Sequence, residues 1–449
     1  MATNRVLRRL VLHGTVVGSL LLAIAGCGDK AVTTATTQLP SATTRSVASV
    51  PAATAVGTVP NATSGATSPG TVGSTARAGQ VIKVGYMNNE GDTLSFPAFR
   101  LGGEAAVDHI NGAGGIDGAK IQIVSCIDDG SPEGSTNCAN KFVDEHVTFA
   151  FAGIDFGSDS ALPILSGAGI PLITEVAWGT AQKNDPMAFQ MHAALDAIYA
   201  SPLNTLAKLG SKNIGALLID TASNRSSVDG VVTPVSKKLG VGVKVTYVPS
   251  ANVDWSSSVS AAIANGAQAL WAQVGDADCI KFVQAARALK FEGPIFAGNC
   301  SDFVSQLGQA AVGVYTTTGV YLPEMREALP SGVQAQVDVY VAAMKASGHA
   351  NDINNGFFVE PFSAWMELAT LIHGIDGPIT GAGMVKALNS TTIPGFMGPD
   401  VKCGQHVWPT QSSACSAANL VTQVAVGPDG SNFRKPAVEG FVDLSSLVS

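Results

Sequence analysis

Ser158, Asp159 and Ser160 stand where an apolar strand gives way to a helix, and hydrogen-bonding side chains at that place suit non-covalent recognition of a small solute. They lie within FAFAGIDFGSDSALPILSGAGIPLITEVAW, residues 149–178. The run from Phe149 to Gly153 predicts a strand buried on both faces, and it breaks at Ile154 to Gly157 into three residues that are good helix N-caps. Leu162, Ile164 and Leu165 continue as a helix that Gly167 and Gly169 end. Ile170 to Thr174 gives a second strand, and Glu175 to Gly179 turns outward. Two strand ends therefore open side by side, and in parallel sheets solutes bind beyond the carboxyl ends of the strands.

Covalent chemistry has little to stand on. GxSxG, HExxH, the P-loop pattern and GxGxxG are absent; the glycines at 112 and 114 approach the last, but Asp117 occupies the third glycine position. His13, His109, His146, His192, His349, His373 and His406 are scattered without paired spacing and are expected at surfaces or in helix packing. Asp155, Glu175, Asp220, Asp276 and Asp278 sit at predicted strand ends, where solvated loop charges and helix caps are the expected roles. No CxxC and no histidine pair at ligand spacing accompanies the cysteines, so no metal and no cofactor is expected.

The elements that must position these residues belong to a long, weakly charged chain. Its 449 residues are 46% hydrophobic and 13% charged, enough for two or three packed domains, and the net charge of −8 with no basic cluster beyond the N-terminus argues against nucleic acid. Arg5, Arg8 and Arg9 precede an apolar core from Leu10 to Ile24 and then Ala25, Gly26 and Cys27, the layout of a secretory signal too short for an ordinary membrane span. The ending Ile24-Ala25-Gly26-Cys27 resembles the bacterial lipoprotein box, which implies cleavage after residue 26 and acylation of Cys27. Residues 27–80 are Thr, Ala, Ser, Pro and Gly with almost no large apolar side chain, so they are expected to be a disordered tether with a mean reach of about 40 Å. Six cysteines remain in a chain that leaves the reducing cytosol; six allow about 15 connectivities, and proximity favours Cys126 with Cys138, Cys279 with Cys300 and Cys403 with Cys415.

Order is expected from Val81. VIKVGYM reads as a strand, Phe96 to Asn111 as an amphipathic helix and Ala119 to Val124 as the next strand, and the alternation continues through Leu209. A second series of the same plan starts at Asn213, with Pro234 a candidate kink in the helix Ser226 to Leu239. Val333 to Ala346 and Phe358 to Ile372 are further helices, and the Gly- and Pro-rich tail from Thr392 is expected to add a strand or two. The class is α/β, with two doubly wound, Rossmann-like lobes.

The chain resembles the type I solute-binding proteins of ABC transporters, in particular the leucine/isoleucine/valine-binding family. The resemblance is carried by IKVGYM, GGEAAVDHINGAGGIDGAKIQIV, the DDG loop at Asp128, FAFAG before a serine-rich helix start, GIPLIT, and FVQAARALKFEGPIFAG. It implies a Venus-flytrap of two lobes joined by a three-strand hinge, residues 81–192 and 320–393 in one lobe and 193–319 and 394–449 in the other. It also implies solute contacts near Ser95 and Phe96, at Gly157 and Ser158, at Ala177 and Trp178, and near Asn224, Gly275 and Asn299. Asn299 stands where the family has a carboxylate for the ligand's ammonium, and Trp178 replaces a small hydroxyl residue. Those departures point away from a branched amino acid and toward a large, planar or weakly charged solute, which Trp178 would stack on and Asn224 and Asn299 would hydrogen-bond.

The implied protein is a monomeric, lipid-anchored receptor on the outer face of the cell membrane that gives solute to permease subunits. Two alternatives use the same residues. A sensor would pass lobe closure to a membrane signalling protein, and a kinase or cyclase gene beside its own would mark it. An exported hydrolase using an acidic pair would turn over the compound it binds.

Overall fold

The computed structural model describes residues 77–90, 95–301, 303–437 and 440–448, all within one compact unit, Thr71–Ser449. The export signal, Cys27 and the tether as far as residue 76 lie outside the described residues.

The first sheet has six strands in the order Lys120–Asp128, Val81–Asn89, Phe149–Ala152, Leu172–Thr174, Ala188–Ala193 and Ala414–Ser416, every neighbouring pair parallel. Phe149–Ala152, Leu172–Thr174 and Ala188–Ala193 are buried at every position, as strands covered by helices on both faces must be. Helix Pro97–Gly112 starts with proline, whose missing N–H costs nothing at a helix start, and helix Pro132–Asp144 is capped by Ser131, which accepts from Gly134 N at 3.0 Å. Gly85 of the first strand faces Phe142, and a Cβ there would lie 2.6 Å from the ring, so only glycine lets that helix seat on the sheet. The core below is aromatic: Tyr86 packs 5.2 Å from Phe151 and 6.2 Å from Trp365 of helix Gly356–His373.

The second sheet repeats the plan. Gly242–Val248, Asn213–Ile219, Ala269–Gln273, Ile295–Phe296 and Tyr315–Thr318 run parallel in that order, and Ala418–Val426 then joins antiparallel with Asn432–Pro436 and Val442–Asp443 beside it. In each sheet the second strand of its series lies on one side of the first and the remaining ones on the other, so each has a switch point between its first and third strands. The helix from residue 222 does not run straight through: Ala222–Ser227 passes into a π turn, Val228–Val232, before Thr233–Leu239, where Pro234 has no N–H for the regular ladder.

The chain passes between the sheets three times, after Ala193, after Thr318 and after Ser416, and the crossings touch. Ala194 N donates to Ser416 O at 3.3 Å, and Thr318 pairs with Leu420. Cys126 is bonded to Cys138, Cys279 to Cys300 and Cys403 to Cys415.

Two boundaries differ from the sequence expectation. Arg77, expected in the tether, is buried: it donates to Asp117 Oδ2 at 3.0 Å and to the Ile372 carbonyl at 2.8 Å, so the folded body begins before Val81. The tail, expected to contribute a strand or two to the second lobe, forms four strands, and Ala414–Ser416 extends the first sheet. The stretch before it stays on the first lobe because Ile393 and Val401 exchange backbone hydrogen bonds of 2.9 Å and Cys403 is tied to Cys415.

Candidate functional site

The two switch points face each other across one cavity of about 70 Å³, room for roughly five to seven water-sized groups. From the first lobe come Phe96, Ile154, Phe156, Trp178 and Phe357; from the second come Ile219, Thr221, Ser223, Asn224, Gln273, Val274, Gly275 and Asn299. The first-lobe wall is a chain of rings: Phe357 and Phe156 each meet Phe96 edge-on at 6.1 Å, and Trp178 meets Phe156 edge-on at 5.3 Å. The opposite wall is polar. Its parts sit at strand ends and helix starts, with Thr221 capping the turn that carries Asn224 and Gly275 capping helix Asp276–Ala288.

Two polar atoms of this lining are buried without a hydrogen-bond partner, the Trp178 Nε1 donor and the Gln273 Oε1 acceptor. The other end of Gln273 is used, Nε2 donating to Asn299 Oδ1 at 3.0 Å. Two lining residues thus each keep a buried polar atom unpaired, which is costly unless something satisfies it. Across the cavity mouth, Ser223 Oγ donates to the Trp178 carbonyl at 3.1 Å.

Of the positions expected to touch a solute, Phe96, Trp178, Asn224, Gly275 and Asn299 line the cavity, and Ser95, Gly157, Ser158 and Ala177 do not. The reasons are local. Gly157 packs on the Ser131 turn, where a Cβ would lie 2.3 Å from the Ser131 carbonyl, and its N–H goes to Asp155 Oδ1 at 2.9 Å. Ser158 is buried, donates to the Asp155 carbonyl at 2.7 Å and accepts from Gln182 Nε2. Ala177 N is taken by Gln190 Oε1 at 3.2 Å. Asn224 lines the cavity with most of its amide already engaged, Nδ2 donating to the Ile219 carbonyl at 2.6 Å and Oδ1 accepting from Tyr199. Asp159 is no helix cap; it accepts from the N–H groups of Thr180 and Ala181 at 2.8 and 3.0 Å and pins the loop behind Trp178.

The acidic residues at strand ends divide. Asp220 is an exposed partner of Arg225, and Asp278 accepts from Trp255 Nε1 at 3.0 Å. Asp155 is buried instead, with Oδ1 accepting from Ser135 at 2.7 Å and Oδ2 unpartnered. Burial, and then repulsion from Asp128, push its pKa up to about 7. Glu175 is likewise buried rather than solvated, paired with His192 Nδ1 at 2.6 Å. His192 was expected at a surface or in helix packing, but it sits at the hinge because the Ala188–Ala193 strand is covered on both faces.

Phe357 and Gln273 are cavity residues that sequence reasoning missed. Gln273 closes the apolar run Ala269–Gln273, so a strand-end reading could have marked it; Phe357 follows the Asn355 cap and carries no such signal. Among the described residues no group of His, Cys, Asp and Glu could hold a metal ion, and no helix is long and apolar enough to cross a membrane.

The comparisons with known proteins agree with this geometry. An ABC transporter substrate-binding protein from Sphaerobacter thermophilus is 18% identical with a TM-score of 0.67, covering 82% of this chain and 100% of its own. A leucine-binding protein from Thermotoga maritima is 16% identical with a TM-score of 0.66, covering 81% and 99%. A solute-binding protein of an ABC transporter from R. palustris, in complex with 4-hydroxybenzoate, is 16% identical with a TM-score of 0.66, covering 82% and 98%. At these identities the likeness is one of fold. No curated protein matches the chain in sequence. A family model described as periplasmic binding protein matches residues 81–414, most of the chain, and the members of that family bind solutes and are not enzymes. With two doubly wound lobes, three crossings and a cavity at the facing switch points, the chain belongs to the periplasmic binding proteins.

Proposed function

We propose that the chain is an extracytoplasmic receptor that closes its two lobes on a small amphipathic solute and delivers it to the permease of an ABC importer. In this reading residues 1–26 are removed on export, Cys27 carries a lipid, and residues 27 to about 76 hold the folded body off the membrane. Phe96, Trp178, Asn224, Gly275 and Asn299, with Phe156, Gln273 and Phe357, are the solute contacts.

The observation that carries the proposal is the cavity lined from both lobes, by aromatic rings on one and by Asn224, Gln273 and Asn299 on the other. Only a guest that touches both lobes favours the closed arrangement over the open one, because a ligand shifts an equilibrium by its differential affinity alone. The ring-lined wall suits a flat or apolar body, and the amide-rich wall suits one or two polar substituents. The structural relative in complex with 4-hydroxybenzoate fits that description.

The test is to denature the purified protein, identify the released small molecule by mass spectrometry, and titrate it back. Trp178→Ala is expected to weaken its binding about tenfold or more through loss of ring contact, with the melting temperature lowered by only a few degrees because Trp178 is half-buried. Unchanged affinity in that variant would remove the inter-lobe cavity as the site.

A further inference from the structure

Behind the ring-lined cavity lies a smaller one of about 20 Å³, room for one water-sized group. Trp178 and Asn299 line both, so the two spaces meet at these side chains. The walls of the smaller space include Glu175, His192, Thr318 and Glu360. Glu175 is 1% exposed; its Oε2 meets His192 Nδ1 at 2.6 Å, and its Oε1 is buried with no hydrogen-bond partner. His192 spends its other nitrogen on Glu367 Oε2 at 3.1 Å. Glu360 Oε1 accepts from Thr318 Oγ1 at 3.1 Å and Gly319 N at 3.0 Å.

Two carboxylates, Glu175 and Glu367, thus share a single imidazole, a third, Glu360, lines the same space, and no lysine or arginine does. Buried carboxylates need compensation, and one imidazolium can neutralise one of them. Burial by itself would lower the His192 pKa, but attraction to Glu175 and Glu367 and the hydrogen bonds to both outweigh it and hold it well above the ordinary range, so that one positive charge is present. The remaining negative charge faces a space the size of one small cation.

We infer that this hinge cavity is the seat of a primary ammonium group of the bound solute, held by Glu175 Oε1 and Glu360, with the apolar remainder of the solute against Phe96, Phe156, Trp178 and Phe357. This rests on the inter-lobe reading above and narrows its solute class. A guanidinium or a quaternary ammonium is larger than the space, and a carboxylate would meet like charge. Asn299, the place at which the resemblance implies an acidic partner for an amino-acid ammonium, lines the same space without a charge, so the carboxylates here come from Glu175 and Glu360 instead.

Burial, and then repulsion from Glu175, raise the Glu360 pKa, and burial raises that of Glu367, opposed by His192. The other titratable group facing Glu175 is the Tyr86 phenol of the first strand, which burial and then Glu175 hold neutral. Lowering the pH adds a proton to Glu360 and removes the ammonium's partner, so affinity falls toward acid.

The experiment is calorimetric titration of the full exported chain with two matched probes, 2-phenylethylamine and 2-phenylethanol, at pH 8 and pH 5. The amine is expected to bind on the order of tenfold tighter than the alcohol at pH 8, as a charge-assisted hydrogen bond to a carboxylate requires, and to lose most of that advantage at pH 5. Glu360→Gln is expected to erase most of it at pH 8. Equal binding of the two probes to the wild type overturns the ammonium seat, a result that needs no variant to fold. If the alcohol then still depends on Trp178, the inter-lobe reading survives. Absence of heat with both probes also overturns the seat, and the solute released from the purified protein then judges the inter-lobe reading separately.

Discussion

Asp155 shows how much one carboxylate can carry at the end of a strand. It holds Ser135 and the Gly157 N–H on one oxygen and leaves the other buried and unpartnered, close enough to Asp128 to feel its charge. Its pKa rises from 3.8 to about 7 on folding, so the folded state binds the proton more tightly than the unfolded chain. Stability from this group therefore falls as pH rises between those two values and stays low above the upper one. Asp155→Asn keeps an acceptor for Gly157 and removes the charge; it is expected to raise stability at pH 8 by about 1–3 kcal/mol and to change it little at pH 4. Urea unfolding at the two pH values reads this directly, and an equal effect at both would mean that Asp155 is neutral or solvated throughout. Trp178 belongs to the same scale: its type and place after a strand were legible, but the lack of a partner for its Nε1 depends on Phe156 and the second lobe closing round it.

At the level of elements, the parallel strands were the most legible feature. Phe149–Ala152 is wholly apolar, Leu172–Thr174 and Ala269–Gln273 are apolar up to a closing Thr174 and Gln273, and all three are buried throughout, as strands covered on both faces are. Helix Gly356–His373 was legible as an amphipathic helix, while its bearing on the site was not, since Phe357 meets Phe96 and Phe99 from more than 250 residues away. The hinge was harder still. Gly319 lies where the second crossing passes His192, and a Cβ on it would sit 2.9 Å from the His192 Cβ, with neither atom free to swing away. Gly319→Ala is expected to cost about 1–3 kcal/mol, as overpacking a tight contact does, and to shift the balance between open and closed lobes. Thermal unfolding together with small-angle scattering checks both; a variant as stable and as compact as the wild type would show that the crossings part easily.

The whole molecule poses a question of place. Among the described residues no helix is long and apolar enough to cross a membrane, and the proposed anchor is an acyl group on Cys27. Cys27→Ala is expected to release the protein into the soluble extracytoplasmic fraction with its solute affinity unchanged, since Cys27 is none of the proposed solute contacts. Cell fractionation with immunoblotting gives the answer, and an undiminished membrane pool would locate the anchor elsewhere. The net charge of −8 says little about the site, whose own electrostatics depend on Glu175, His192, Glu360 and Glu367 in the interior.

The sequence by itself determined the α/β class, the doubling of the plan and the strand ends at which Trp178, Asn224 and Asn299 fall, because hydrophobic period, glycine and proline act over a few residues and are read locally. The tertiary structure alone decided that Gly157 and Ser158 turn inward, that Phe357 and Gln273 face one cavity, and that Glu175, His192 and Glu367 meet at the hinge. Those outcomes depend on contacts between residues far apart in the chain, and a contact of that kind leaves no mark on the spacing of either partner.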